Sequence, residues 1–190
     1  MPENIKSPFD SVEIIKKFYE PGTKVYDIFL HHGKSVAKKA LEISAGVMHL
    51  NPDLDFINEA AMLHDIGIFM TNAPSLGCTG KYDYICHGYL GREILDKIGL
   101  PKHGLVCERH IGVGITVQDI KKQGLPLPER DMVPISLEEK IIAFADKFFS
   151  KSSYLSIKEK TVQEIKNSLA GFGGDKVKIF QSWVDFFGRH

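Results

Sequence analysis

Neither sign of charge is in excess in this chain of 190 residues: 24 lysines and arginines face 24 aspartates and glutamates. A dominant basic field of the kind that gathers nucleic acid is therefore absent, although a local basic patch stays open. No apolar run approaches the roughly 20 residues needed to span a bilayer. Residues Met1 to Asp10 lack the charged-then-apolar order of a signal peptide. Cysteine is scarce. Cys78, Cys86 and Cys107 are odd in number and have no Cys-x-x-Cys spacing. That disfavours a zinc finger and reads as reduced thiols in a cytoplasmic protein. Internal repeats, low-complexity tracts and convincing strand patterns are missing. So is any serine or cysteine nucleophile motif.

What is present is helical. Hydrophobic residues make up 43% of the chain, enough for one well-filled domain. Ser11 to Tyr19 reads as a short helix stopped by Pro21-Gly22. From Thr23 to Val47, the residues Val25, Ile28, His32, Val36, Ala40, Ile43 and Val47 recur every three or four positions and share one face. His31 is rotated off that face. Asp55 is placed to cap a helix from Phe56 to Asp65, with Gly67 ending it. Tyr84 to Ile98 is helical, ended by Gly99 and Pro101. A shorter helix carries Val106 and His110 and stops at Gly112. Ile115 to Pro134, with Gly124, Pro126, Pro128 and Pro134, reads as irregular or a lid. Ser136 to Glu139 is a capping box opening a helix that includes Ile142, Asp146 and Phe149 on its inner face. Two amphipathic helices, about Ile157 to Leu169 and Lys176 to Phe187, complete an all-α chain.

The informative stretch is Ala60-Ala61-Met62-Leu63-His64-Asp65-Ile66-Gly67-Ile68. An ionised aspartate in so apolar a setting needs a cation or hydrogen bonds. Alone, the His-Asp pair fits either half of a metal site or a helix terminus with a glycine cap. Thr71 to Lys81 follows directly as a loop, either a solvated connector or a cover for the site. The other candidates carry the same ambiguity. His32 and His110 fit core histidines, His87 a helix cap, and Asp146 a buried ion pair. Five segments each placing imidazole or carboxylate on or beside an apolar face is harder to explain by packing. The donor types suit Mn, Fe, Ni, Co or Zn.

The order His32, then His64-Asp65-Ile66-Gly67, then Ala145-Asp146-Lys147 resembles the HD-domain superfamily of metal-dependent phosphohydrolases. The resemblance covers roughly Tyr26 to Phe149, leaving 150–190 as a helical extension of one HD-type domain. It implies an HD-like helical bundle with a metal site between helices, in which His32, His64, Asp65 and Asp146 hold a first divalent ion. His87 in His-Gly-Tyr-Leu-Gly and His110 in Glu108-Arg109-His110 are similar to the second-metal ligands of the hydrolases that split diadenosine polyphosphates. Two ions are therefore expected. The chain departs from the cyclic-di-GMP branch, which has paired histidines and then Gly-Tyr-Pro. Here Arg109-His110 is followed by Gly112-Val113-Gly114.

The resemblance further implies hydrolysis of a nucleotide or other small phosphate ester by metal-activated water, with Asp65 bridging the ions. Lys147, beside Asp146, is the first cationic candidate for stabilising phosphoryl charge, its ordinary alternative being a solvated surface charge. Arg109, Arg92 and Lys81 are further cationic candidates. A di-iron oxygenase is the alternative within the superfamily, and a non-catalytic nucleotide-binding module the alternative outside catalysis. Membrane partners and a dominant nucleic-acid surface are not expected.

Overall fold

A computed structural model describes residues 10–151 and 159–188. The helices are α1 (Ser11–Ile15), α2 (Lys24–Gly46), α3 (Leu54–Leu63), α4 (His87–Lys97), α5 (Pro101–Arg109), α6 (Val117–Gln123), α7 (Leu137–Asp146), α8 (Val162–Ala170) and α9 (Gly174–Phe187). Local chemistry accounts for most of the boundaries. Thr23 caps α2 by accepting the Tyr26 amide, and α5 opens on Pro101 in its first turn. Gly99 and Gly124 end α4 and α6 in the left-handed conformation, at φ of 80° and 61°.

Helix α7 is the axis of the bundle. Ile141, Ile142, Ala143, Phe144, Ala145 and Asp146 are all buried, so it is covered on every side. Helices α2, α3 and α5 pack around it. The C-terminal helices join the same apolar core. The Phe144 ring lies 5.4 Å from Phe180 and 5.3 Å from Phe187, and Ile165 and Leu169 of α8 are buried with them. Among the described residues no helix is long and apolar enough to cross a membrane. Cys78, Cys86 and Cys107 are free and buried.

The structure corrects several expectations. Asp53, not Asp55, caps α3. The reason is placement: its carboxylate accepts the Phe56 amide at 3.0 Å. Ser136 accepts the Glu139 amide, but the return half of the box is missing, because Glu139 is spent on the Ile135 amide and on Arg109. The 115–134 segment is less irregular than its prolines suggest. It holds α6, opened by a Thr116–Asp119 capping box, and Ile115 pairs with Met132 through two backbone bonds of 2.9 and 2.8 Å. The loop after the His-Asp pair contains two short antiparallel strands, β1 (Asn72–Ala73) and β2 (Cys78–Thr79). Helix α8 spans Val162–Ala170, behind a Thr161–Glu164 capping box; the expected start at Ile157 lies outside the described residues.

Gly67 has a different job from the one expected of it. It is not in the left-handed conformation, and α3 has already ended at Leu63. A Cβ at Gly67 would stand 2.3 Å from the His87 carbonyl and 2.5 Å from the Gly91 amide nitrogen. The glycine lets the chain after the His-Asp pair lie directly against α4. The turn is also braced from α1's side. The hydroxyl of Tyr19, itself buried, donates to the Ile66 carbonyl at 3.0 Å and accepts the Phe69 amide at 3.2 Å. Tyr19→Phe is expected to cost about 1–2 kcal/mol by stranding two backbone groups, read as a shift of the urea midpoint at unchanged slope.

Candidate metal centre

Each proposed donor is delivered by the end or the inner face of a helix. His32 projects from the middle of α2 and Asp146 from the last residue of α7. His64 follows the last residue of α3 and His110 that of α5, while His87 is the first residue of α4. All six side chains are buried, none with more than 7% of its surface exposed. The structure thus brings together every residue that the sequence marked for metal binding. His31, on the same helix as His32, is exposed.

Asp65 organises the cluster. Its Oδ2 lies 3.4 Å from His32 Nε2 and 3.2 Å from His64 Nε2. Its Oδ1 lies 3.3 Å from His87 Nε2 and 3.4 Å from His110 Nε2. Asp146 Oδ1 completes the first group at 3.0 Å from His32 and 3.5 Å from His64. One carboxylate thus faces two imidazole pairs with its two oxygens. Donor atoms of His32, His64 and Asp146, and of His64, Asp65 and His110, lie within 4.8 Å of one another.

Three of the imidazoles are aimed by the same local device. Nδ1 of His64, His87 and His110 pairs with the backbone carbonyl three residues earlier: Ala61 at 2.7 Å, Tyr84 at 2.6 Å and Cys107 at 2.7 Å. A proton on Nδ1 leaves Nε2 as the lone-pair nitrogen, and every Nε2 points inward. Metal-binding histidines are held in this way. The buried atoms also ask for a cation. His64 Nε2 and Asp65 Oδ1 lack a hydrogen bond, a costly omission in a protein interior unless something else satisfies them. The donor set therefore fits a divalent transition metal.

Titration behaviour fits a neutral imidazole at His32 and His110, whereas His64, facing two carboxylates, holds a second proton at pH 7. Burial pushes His32 and His110 down to about 4, so both stay neutral at pH 7. Burial acts on His64 in the same direction, but the charges of Asp65 and Asp146 outweigh it and push His64 up to about 9. Burial by itself would raise both aspartates. His64 and Lys151 around Asp65, and Lys147 and Lys151 around Asp146, instead hold both well below the usual carboxylate range.

Of the cationic candidates, only Lys147 sits in the site, its Nζ 2.8 Å from Asp146 Oδ2. Arg109 is taken up by a two-pronged contact with Glu139 at 2.9 and 3.1 Å. Arg92 and Arg130 clamp the fully buried Glu108 from two sides, and Lys81 lies over the Tyr82 ring. Sequence reasoning missed Lys151, whose Nζ is 2.7 Å from Asp65 Oδ2. No local pattern marks it, because α7 ends at Asp146 and it is the chain beyond that brings Lys151 back to Asp65. Lys147, Lys151 and Asp146 open onto a cleft of about 720 Å³, walled by 72–76, 111–115 and α8, with Tyr84 and Phe149 among its aromatic surfaces.

The HD-domain family model matches residues 29–150. The chain belongs to the HD-domain family. This HD domain is 36% identical over 120 residues to an uncharacterized protein of Methanocaldococcus jannaschii, covering 62% of this chain and 63% of that one. It is 33% and 31% identical over 134 residues to tRNA (cytidine(56)-2'-O)-methyltransferases of Picrophilus torridus and Thermoplasma volcanium. Those matches cover 70% of this chain and 35% of each methyltransferase. In fold it is similar to the HD domain of the L. monocytogenes phosphodiesterase PgpH, with a TM-score of 0.51 at 15% identity, covering 90% of this chain and 93% of that one.

Proposed function

We propose that the chain is a metal-dependent phosphohydrolase, acting with water as nucleophile on a nucleotide or other small phosphate ester. The observation that carries this reading is the division of Asp65 between two imidazole pairs. His32, His64, Asp146 and Asp65 Oδ2 would hold one divalent ion, and His87, His110 and Asp65 Oδ1 a second. Bound there, divalent ions supply Lewis acidity to a phosphoryl oxygen and to the attacking water.

The chain's own groups do the rest. The three Nδ1 contacts fix the imidazoles before substrate arrives, so little reorganisation is left for the reaction. Lys147, beside Asp146 and open to the cleft, places an ammonium where phosphoryl charge would enter. Family membership supports hydrolysis by analogy, as does the phosphodiesterase among the fold neighbours. The methyltransferases match over only 35% of their length and lend no argument for methyl transfer here.

The test is a panel of nucleotides, dinucleoside polyphosphates, cyclic nucleotides and simple phosphate esters, run on protein whose metal content has been measured. Turnover should vanish with chelator and return with Mn, Fe, Ni, Co or Zn. His87→Ala and His110→Ala should each lower the stoichiometry from about two ions toward one and reduce the rate far more than the stability. Protein that holds no metal would sink the reading. So would oxygen consumption by ferrous-loaded protein without any phosphate release.

A further inference from the structure

Two ammonium groups stand against the two carboxylates of the centre. Lys147 Nζ is 2.8 Å from Asp146 Oδ2, and Lys151 Nζ is 2.7 Å from Asp65 Oδ2. The two contacts are not equivalent. Asp146 meets Lys147 with Oδ2 and the imidazoles with Oδ1, so the lysine and the donor group use different oxygens. Asp65 meets Lys151 with Oδ2, the same oxygen that faces His32 and His64. An ammonium and a divalent ion held by those imidazoles therefore compete for one atom. Like charges that close repel strongly in a buried site.

Lys151 has somewhere else to go. Its side chain is 17% exposed, and the residue lines the same cleft as Lys147, Phe149 and Ser150. A lysine stem has four flexible carbons and carries a compact charge that can swing by several ångströms. The cleft is where the anionic part of a substrate would meet the centre.

Resting on the metal-centre reading above, we propose that Lys151 is a second anion-binding side chain of the cleft, beside Lys147, and that metal loading positions it. The divalent ion takes Asp65 Oδ2, and the released ammonium turns into the cleft to hold the phosphoryl group. This separates Lys151 from Lys147, whose contact with Asp146 leaves the donor oxygen free and need not break. It makes the chain's phosphate site conditional on the ion, so that an anion meets a complete site only once the centre is loaded.

The experiment titrates Mn²⁺ into wild-type protein, Lys151→Met, Lys151→Arg and the surface control Lys38→Met, followed by orthophosphate into each Mn-loaded form. Lys38 sits on α2 with 82% of its side chain exposed. Lys151→Met should bind Mn²⁺ tighter by roughly tenfold or more, since a competing charge is gone. It should bind orthophosphate at least about tenfold more weakly. Lys151→Arg should restore phosphate binding, and Lys38→Met should match wild type in both titrations.

Wild-type protein gives a check that needs no variant. Acylation of the Lys151 amine by sulfo-N-hydroxysuccinimide acetate, read by peptide mass spectrometry, should rise when Mn²⁺ is added. Unchanged Mn²⁺ affinity in Lys151→Met, unchanged phosphate affinity, or amine labelling that stays flat or falls on metal addition would each overturn the proposal. These outcomes leave the metal centre standing. Failure of every form, wild type included, to bind Mn²⁺ or any other divalent ion would instead remove the centre and this inference together.

Discussion

Asp65→Asn is expected to abolish binding of both ions and to lower phosphate-ester turnover by roughly a thousandfold or more, about 4 kcal/mol of barrier. The asparagine keeps the side chain's size but loses the anion. It also replaces one of the two oxygens that face the imidazole pairs with a donor NH₂. Either orientation of the amide turns that donor toward two Nε2 atoms whose lone pairs would otherwise bind metal. Thermal melts separate this from unfolding. Wild-type protein should gain about 2.7 kcal/mol at a metal concentration one hundred times its Kd, whereas the variant's melting should not respond to metal. Elemental analysis that finds two ions in the variant would show that Asp65 is not shared between them.

Gly67→Ala should be the most destabilising small substitution near the centre, at roughly 3 kcal/mol or more. The added methyl would land on the backbone of α4, at the His87 carbonyl and the Gly91 amide, and backbone cannot step aside as a flexible side chain can. Relief requires α4 to move away from the His-Asp turn, and His87 is its first residue. Gly174→Ala is the matched control. It lies at the start of α9 with open space around its Cβ position and no positive φ, so it should be neutral or slightly stabilising. Chemical denaturation gives both values. Equal midpoints for the two variants would show that α4 yields at little cost, and the packing argument for Gly67 would fail.

Much of this architecture is legible in the sequence because it is local. Helix α2 follows from its apolar period and its threonine cap, and α4 from the Gly99 that closes it. The six donors stood out because imidazole and carboxylate are conspicuous on apolar faces. What escaped is non-local, or hidden by composition. The two-residue strands exist only through pairing across the 71–82 loop. Helix α6 lies among prolines and glycines that mask its Thr116–Asp119 capping box. Arg92 and Arg109 look available for catalysis until Glu108 and Glu139 are seen to occupy them. The role of Gly67 depends on where α4 lies, and that of Lys151 on how the chain turns back over Asp65 after α7. In both cases the partner is 20 or more positions away in the chain.

The donors and the walls of the cleft come largely from different parts of the chain. Five of the six donors stay out of the cleft lining, which is built from the 72–76 and 111–115 connections, the residues just after α7, and α8. Connections of this kind tolerate exchange far better than packed helix ends do. A change in the wall can therefore alter the shape and charge of the cleft without touching the donors behind it. Substitutions in those connections can reshape the opening while the six His and Asp side chains stay where the packed helices hold them.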